Sequence, residues 1–440
     1  MTEQQQEHSW KRDRKLLSED KDQTLALLVG VYRKSDSRNV AQETLSELEN
    51  LATTYGLTAH DSLLIPVQSF CAATLLGEGK IEELVALIEE KQIDLVLFDD
   101  EISPAQQRNL EKLFKRPTID RAELILEIFG QRAQTKEAQL QVELAKLRYH
   151  YPRLKRMWGH LSRQRGTRGS MTGEGRTQRE IDKDQLQKEE IVLRRRLEEV
   201  RAGRETQRAA RLAASIPTFA IVGYTNAGKS SLLKKLTEAD VLVENKLFAT
   251  LDTTSRKFKL PNKQEIILTD TVGFIRKLPH KLIEAFRSTL EEVVFNDILV
   301  HLIDISHPAA ERQAEASQEL LTELGADKKP MITLFNKIDA LHDSALLDRL
   351  HKRYPDAIEL SVLNGTGLDL FLDRMMEELV DLRKPLLLRI PYSQGALISD
   401  LSERGRVLSR DYDEEGSVLM SVEVPHAMHH RVQPFIQPSE

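Results

Sequence analysis

The stretch that decides the fold is TFAIVGYTNAGKSSLLKKL, residues 218–236. Its first five residues are an apolar strand and its last six a good helix, and between them lies GYTNAGKS (223–230). This is G-x-x-x-x-G-K-[ST] in the strand–loop–helix context that gives the pattern its meaning. Gly223 and Gly228 let the backbone turn tightly, so that N–H groups of Tyr224, Thr225, Asn226 and Ala227 face a polyphosphate. Lys229 supplies a point charge for the β- and γ-phosphates, and Ser230 a hydroxyl for Mg²⁺.

Further motifs follow at strand ends. TDTVGF (269–274) closes the apolar run EIILTD. Asp270 is placed to hold the Mg²⁺ shell through water, and Thr271, Val272 and Gly273 carry the chain past the γ-phosphate, with a backbone N–H from Gly273. NKID (336–339) ends another strand, where ligands bind in open α/β sheets. Guanine presents N1–H and N2–H₂ side by side, and the Asp339 carboxylate can accept both. Adenine has no such pair. Asn336 can address the O6 and N7 side, the Lys337 stem can lie over the ring, and Ile338 spaces the two. SVLNG (361–365) completes the base pocket with backbone from Ser361, Val362 and Leu363. The ligand expected is therefore GTP or GDP. Between these motifs LFATLDTTSRK (247–257) offers Thr250, Thr253 and Thr254 as the threonine that binds Mg²⁺ and senses the γ-phosphate.

Outward from this centre, the runs 216–383 alternate strand and helix, which argues a parallel sheet covered by helices. Residues 1–24 are a polar, charged tail and 25–130 a small α/β domain without a glycine-rich phosphate loop. In that domain Asp99, Asp100 and Glu101 read as a solvated strand end, and Cys71 as a small buried residue. From 131 to 213 the spacing changes. Leu140, Leu144, Leu147, Tyr151 and Leu154 form one seam, and Leu186, Leu193, Leu197 and Val200 a second, as in a long helical hairpin. The tail, 384–440, reads as a small mostly-β module. The fold class expected is α/β: a P-loop GTPase domain preceded by a small α/β domain and a helical hairpin, with a β-rich end.

Composition narrows the function. At 440 residues, about three domains of ~150 residues are expected. One cysteine excludes a disulfide framework and a cysteine-ligated zinc site. No run of ~18 apolar residues spans a membrane, and the start lacks the apolar centre of a secretory signal, which points to the cytoplasm. The net charge of −6 argues against nucleic acid until it is partitioned. Residues 151–211 hold 17 basic and 9 acidic side chains, or +8, so the remainder carries −14. The Gly- and Ser-rich piece RGTRGSMTGEGRTQ (165–178) lies at the most basic part. Arg163, Arg165, Arg168, Arg176 and Arg179 are the candidates for phosphate-backbone contact.

With FATLD (248–252), DTVGF (270–274), ISHP (305–308) and DRAELILEIFGQRAQTKEAQLQVELAKLRYHYPRL (120–154), the chain resembles the HflX family of ribosome-associated GTPases. The resemblance selects Thr250 as the switch threonine, with Phe248, Ala249, Leu251 and Asp252 around it. It implies binding of the large ribosomal subunit near the peptidyl-transferase region through the helical arm. It also implies splitting of stalled or idle ribosomes under stress, by a monomer that does not use DNA. The arm loop departs from the family after Gly169, and Ser361-Val362 stands where Ser-Ala is usual. Phe274 occupies the place where many GTPases put a water-orienting Gln, which predicts a low intrinsic rate and a catalytic contribution from the ribosome. Asn226 is a candidate K⁺ ligand where some related GTPases use that residue. Competing readings are a GTPase of subunit assembly or tRNA modification, and a non-catalytic hibernation adaptor.

Overall fold

A computed structural model of the chain describes residues 24–157, 186–200, 202–203, 216–237, 247–248, 250–277, 286–381, 385–404, 406–412, 416–424 and 428–437. These fall into two compact bodies. The first takes in residues 1–200 together with 244–252 and 275–289, and the second the rest.

In the first body, strands β1 (Leu25–Arg33), β2 (Thr58–Val67), β3 (Leu95–Phe98) and β4 (Thr118–Asp120) form a parallel sheet in the order β2-β1-β3-β4. Helices α1 (Arg38–Tyr55), α2 (Glu78–Glu90) and α3 (Pro104–Phe114) make the crossovers. All-parallel strands buried on both faces read as continuous apolar runs, as LALLVGVY does. Helix α3 starts with a full capping box between Ser103 and Gln106 and Pro104 at its first position.

Helices α4 (Arg121–Arg132) and α5 (Lys136–Met157) follow. In the stretch 120–154 the charged residues Asp120, Arg121, Glu123 and Glu137 are buried. Asp120 caps α4 by accepting the Glu123 N–H at 2.9 Å. Its carboxylate also takes the Ile102 N–H at 3.1 Å, the Tyr149 hydroxyl at 2.8 Å and Arg153 Nη2 at 3.2 Å. The Arg153 guanidinium lies over the Tyr149 ring. Burial, then the neighbouring Asp120 charge, pushes the Glu123 carboxyl up to about 8. Part of the expected seam is present: Leu140 and Leu144 of α5 pack with Leu193 and Leu197 of helical residues 186–200, with Leu147 and Val200 at the margins, while Tyr151 and Leu186 stand outside this cluster and the Leu154 side chain lies outside the described residues.

Two sequence expectations fail in this body. Asp99 is not solvated. It is 2% exposed and pairs with Arg121 Nη1 at 2.8 Å and Lys277 Nζ at 2.6 Å. Those cations hold its carboxyl below the usual range against the cost of burial. Cys71 is half-buried rather than buried, bridging to Leu75 through its backbone.

In the second body, β5 (Thr218–Gly223), β6 (Thr254–Lys259), β7 (Glu265–Asp270), β8 (Ile298–Asp304), β9 (Met331–Asn336) and β10 (Ile358–Glu359) form one sheet, ordered β10-β9-β8-β5-β7-β6. Only β6 is antiparallel. The phosphate-loop helix (Lys229–Thr237) and helices 310–323, 344–353 and 368–381 belong to the same body. A single apolar core joins Phe219, Ile221, Leu232, Val300, Leu334 and Phe371. The carboxyl ends of β5, β7, β8 and β9 therefore deliver the motifs 223–230, 270–274, 304–308 and 336–339 to one edge of the sheet. The carboxyl-terminal strands 385–391, 406–412 and 417–423 make a separate antiparallel sheet, as the composition of that segment predicts.

Candidate functional site

The loop after β5 is shaped by two glycines that no other residue replaces. Gly223 has φ 145° and Gly228 φ 101°. A Cβ on Gly223 would lie 2.3 Å from the Leu302 carbonyl oxygen, and one on Gly228 2.4 Å from Asn336 Nδ2. Asn226, at φ 62°, is exposed, and asparagine tolerates that left-handed conformation.

Lys229 is buried, and its Nζ donates to the carbonyls of Gly223 at 3.1 Å and Tyr224 at 2.7 Å. Burial pulls its ammonium down to about 8, against the opposing pull of Asp270. A cation held this way gains most from a polyanion that restores its partners. Ser230 Oγ donates to Asp270 Oδ2 at 2.6 Å. A hydroxyl and a carboxylate side by side are the hard oxygen donors that suit Mg²⁺. Among the described residues no group of three or more His, Cys, Asp or Glu could hold a metal.

The 270–274 motif is tied to the loop by its backbone. Phe274 N–H donates to the Gly223 carbonyl at 3.0 Å, and its carbonyl accepts Thr225 N–H at 2.8 Å. Phe274 is 2% exposed, so its ring is core and its amide is committed. Gly273 approaches Thr225 and Lys229 so closely that a Cβ would lie 2.8 Å from Thr225 Cγ2 and 3.0 Å from Lys229 Nζ. Thr271 Oγ1 donates to the Ile221 carbonyl at 2.7 Å, and Val272 is buried.

Asn336, expected beside the base, spends its side-chain amide on bonds within the protein. Its Nδ2 donates to the Ala227 carbonyl at 2.8 Å and its Oδ1 accepts the Val362 N–H at 3.1 Å. One buried amide thus joins the phosphate loop, the 336–339 motif and the 361–365 motif. Lys337 has φ 66°, and its Nζ donates to Asp304 Oδ2 at 2.6 Å. Asp304, in turn, accepts the Ser306 N–H at 3.0 Å and hydroxyl at 2.6 Å through Oδ1. Sequence reasoning missed Asp304 as a site residue. Its signal was the carboxylate closing the strand DILVHLID ahead of Ser306. Asp339 is exposed, and Ile338 is half-buried beside it. Ser361 Oγ accepts the Asn364 N–H at 3.1 Å, while Leu363 is 79% exposed.

Thr250, Leu251 and Asp252 fall in the first body, as does Phe248. Thr254 opens β6 opposite Asp270, so its backbone is part of the ladder. Ala249 and the arginines 163, 165, 168, 176 and 179 lie outside the described residues.

The sequence matches three family profiles in order. Residues 42–130 match the GTP-binding GTPase N-terminal family, 132–211 the GTP-binding GTPase middle region, and 218–337 the family described as 50S ribosome-binding GTPase. The GTPase HflX of Chlamydia pneumoniae is 40% identical over 421 residues, covering 95% of this chain and 89% of the relative. The chain belongs to the HflX family of GTPases. The GTPase HflX of Escherichia coli strain K12 is 39% identical, covering 91% of this chain and 93% of its own length. A GDP complex of a GTP-binding protein from Sulfolobus solfataricus aligns at 24% identity and TM-score 0.43, over 80% of this chain and 98% of that one. As an HflX-family protein the chain is a GTP hydrolase, with the P-loop, α/β architecture that the family requires. Among the described residues no helix is long and apolar enough to cross a membrane.

Proposed function

We propose that this chain is a GTP-driven switch that engages the large ribosomal subunit and splits or rescues stalled or idle ribosomes under stress. The observation that carries the ribosomal reading is the +8 segment 151–211 in a chain of −6, joined to a GTPase segment whose family is described as 50S ribosome-binding. A basic, arginine-rich stretch binds phosphate backbone, while the −14 remainder repels RNA elsewhere. The arginines 163, 165, 168, 176 and 179 are its contacts, with the rRNA near the peptidyl-transferase region as their target.

In the nucleotide site, backbone N–H groups of the 223–230 loop other than those of Thr225 and Ala227, which are spent on the Phe274 and Tyr224 carbonyls, take the phosphates together with the Lys229 ammonium. Asp339 accepts the guanine N1–H and N2–H₂, with Lys337 held to one side by Asp304. The Ser230 and Thr250 hydroxyls would hold Mg²⁺, and Asp270 would support it through water. When bound, Mg²⁺ neutralises charge on the β- and γ-phosphate oxygens. Gly273 offers its N–H to the γ-phosphate. Phe274 has no polar atom to orient the attacking water, so the chain hydrolyses GTP slowly alone and the ribosome completes the site. Asn226 adds K⁺ as an electrostatic aid, and equal turnover in K⁺ and Na⁺ would reject that part.

Co-sedimentation with purified subunits tests the reading. The protein is expected to pellet with large subunits in a non-hydrolysable GTP analogue and to stay in the supernatant with GDP. Equal pelleting with both nucleotides would point instead to a ribosome-bound adaptor, and pelleting with neither to a GTPase that works elsewhere.

A further inference from the structure

Thr225, Lys229 and Gly273 meet at one point of the second body. A Cβ on Gly273 would lie 2.8 Å from Thr225 Cγ2, 2.9 Å from Thr225 Cα and 3.0 Å from Lys229 Nζ. Thr225 and Lys229 thus border the same small space over Gly273. Gly273 and Lys229 are the groups assigned to the γ-phosphate, so Thr225 stands beside both of them.

The Thr225 side chain has a fixed base and an unused polar atom. Its N–H donates to the Phe274 carbonyl at 2.8 Å, Tyr224 bridges to Phe274, and Asn226 is held at φ 62°. A β-branched side chain on such a backbone has few rotamers. Thr225 is 6% exposed, and its Oγ1 has no hydrogen-bond partner among the described residues. A hydroxyl donates one hydrogen bond, and native interiors rarely leave a buried donor unused. The γ-phosphate offers the acceptor that this donor lacks. In G-x-x-x-x-G-K-S, Thr225 is only one of the open positions, so the motif by itself says nothing of its side chain.

We propose that the Thr225 hydroxyl is a catalytic group in GTP hydrolysis, donating to a γ-phosphoryl oxygen. The proposal rests on the γ-phosphate lying beside Gly273 and Lys229. In the reaction the water oxygen bonds the γ-phosphorus, and the bond to the bridging oxygen breaks with its electron pair left on GDP. The water protons pass to the phosphate product and to solvent. Charge spreads over the γ-phosphoryl oxygens on the way. A donor fixed in a buried wall meets that charge without reorganising. Phe274 holds Thr225 by its carbonyl and brings no polar side-chain atom. The hydroxyl therefore stabilises the phosphoryl group and leaves the orientation of water to the ribosome, so hydrolysis by the protein alone stays slow.

Single-turnover hydrolysis by the full-length protein tests this on two variants of opposite chemistry. Thr225→Val keeps the methyl against Gly273 and loses the hydroxyl. Thr225→Ser keeps the hydroxyl and loses the methyl. The rate of Thr225→Val is expected to fall at least about tenfold, with GDP affinity within about twofold of the wild type. Thr225→Ser should hydrolyse at least about fivefold faster than Thr225→Val. A packing role predicts the reverse order. Thr225→Ser no faster than Thr225→Val, or Thr225→Val within about twofold of the wild type, overturns the proposal. GDP with aluminium fluoride, a mimic of the transferring phosphoryl group, gives a readout that survives a weakened loop. Within one variant, its affinity relative to GDP alone should drop at least about tenfold in Thr225→Val, and an unchanged ratio overturns the proposal. Gly273→Ala isolates the placement of the γ-phosphate, and should lose affinity for a non-hydrolysable GTP analogue relative to GDP. If it does not, the γ-phosphate lies elsewhere and the proposal falls with that placement. If it does while Thr225→Val hydrolyses as the wild type, only the role of Thr225 fails.

Discussion

At the scale of single residues, Asp339 and His301 give opposite kinds of test. Asp339 faces solvent, ready for a base that offers two donors. Asp339→Asn replaces two acceptor oxygens by an acceptor and a donor. Its affinity for GTP is expected to fall by about 100-fold, two mispaired hydrogen bonds at ~1.4 kcal/mol each. Affinity for the xanthine nucleotide, whose C2 carbonyl accepts that donor, should rise in the same titration. His301 is fully buried in β8, and neither ring nitrogen has a hydrogen-bond partner. Burial, with Lys229 as a second cause, pulls its imidazolium down to about 4. The folded pKa lies below the unfolded one. The neutral ring is therefore tolerated above about pH 6.5, and stability is lost as pH falls from there through 4, by up to about 3 kcal/mol. His301→Leu should flatten the dependence of melting temperature on pH between 6.5 and 4. An unchanged slope would mean that His301 is not the buried group responsible.

At the scale of elements, the helical hairpin shows why some of the structure was legible in the sequence. Leu140, Leu144, Leu193 and Leu197 recur at helical spacing, and those residues do pack together. Leu144→Ala should cost about 2–4 kcal/mol in urea unfolding of the body that contains it, while an exposed neighbour such as Glu143→Ala should cost under ~0.5 kcal/mol. The phosphate loop was legible for a similar reason, because its glycines, lysine and serine act within eight residues. The links between motifs were not. Asn336 binds Ala227, 109 positions away, and Lys277 binds Asp99, 178 positions away. No periodicity records such pairs. A string of carboxylates at a strand end reads as solvated until its cations arrive from elsewhere in the chain.

At the scale of the whole molecule, charge and nucleotide chemistry are divided between different parts of the chain. The basic segment 151–211 and the motifs proposed to read guanine, 336–339 and 361–363, share no residue. Changing Arg163, Arg165 and Arg168 to Glu should thus weaken binding to large subunits by more than about tenfold at moderate salt, with GTP affinity within about twofold. Binding that persists would remove the arm from the ribosomal interface. Residues 247, 248, 250–252, 275–277 and 286–289 group with the amino-terminal body rather than with the body that carries the phosphate loop. The account turns on Phe274, a core residue standing where a water-orienting side chain would be expected. Single-turnover GTP hydrolysis, measured with and without purified large ribosomal subunits, tests it most directly. The rate is predicted to be slow for the protein alone and to rise by at least about tenfold with the subunits. Fast hydrolysis by the isolated protein, unchanged when subunits are added, would contradict it.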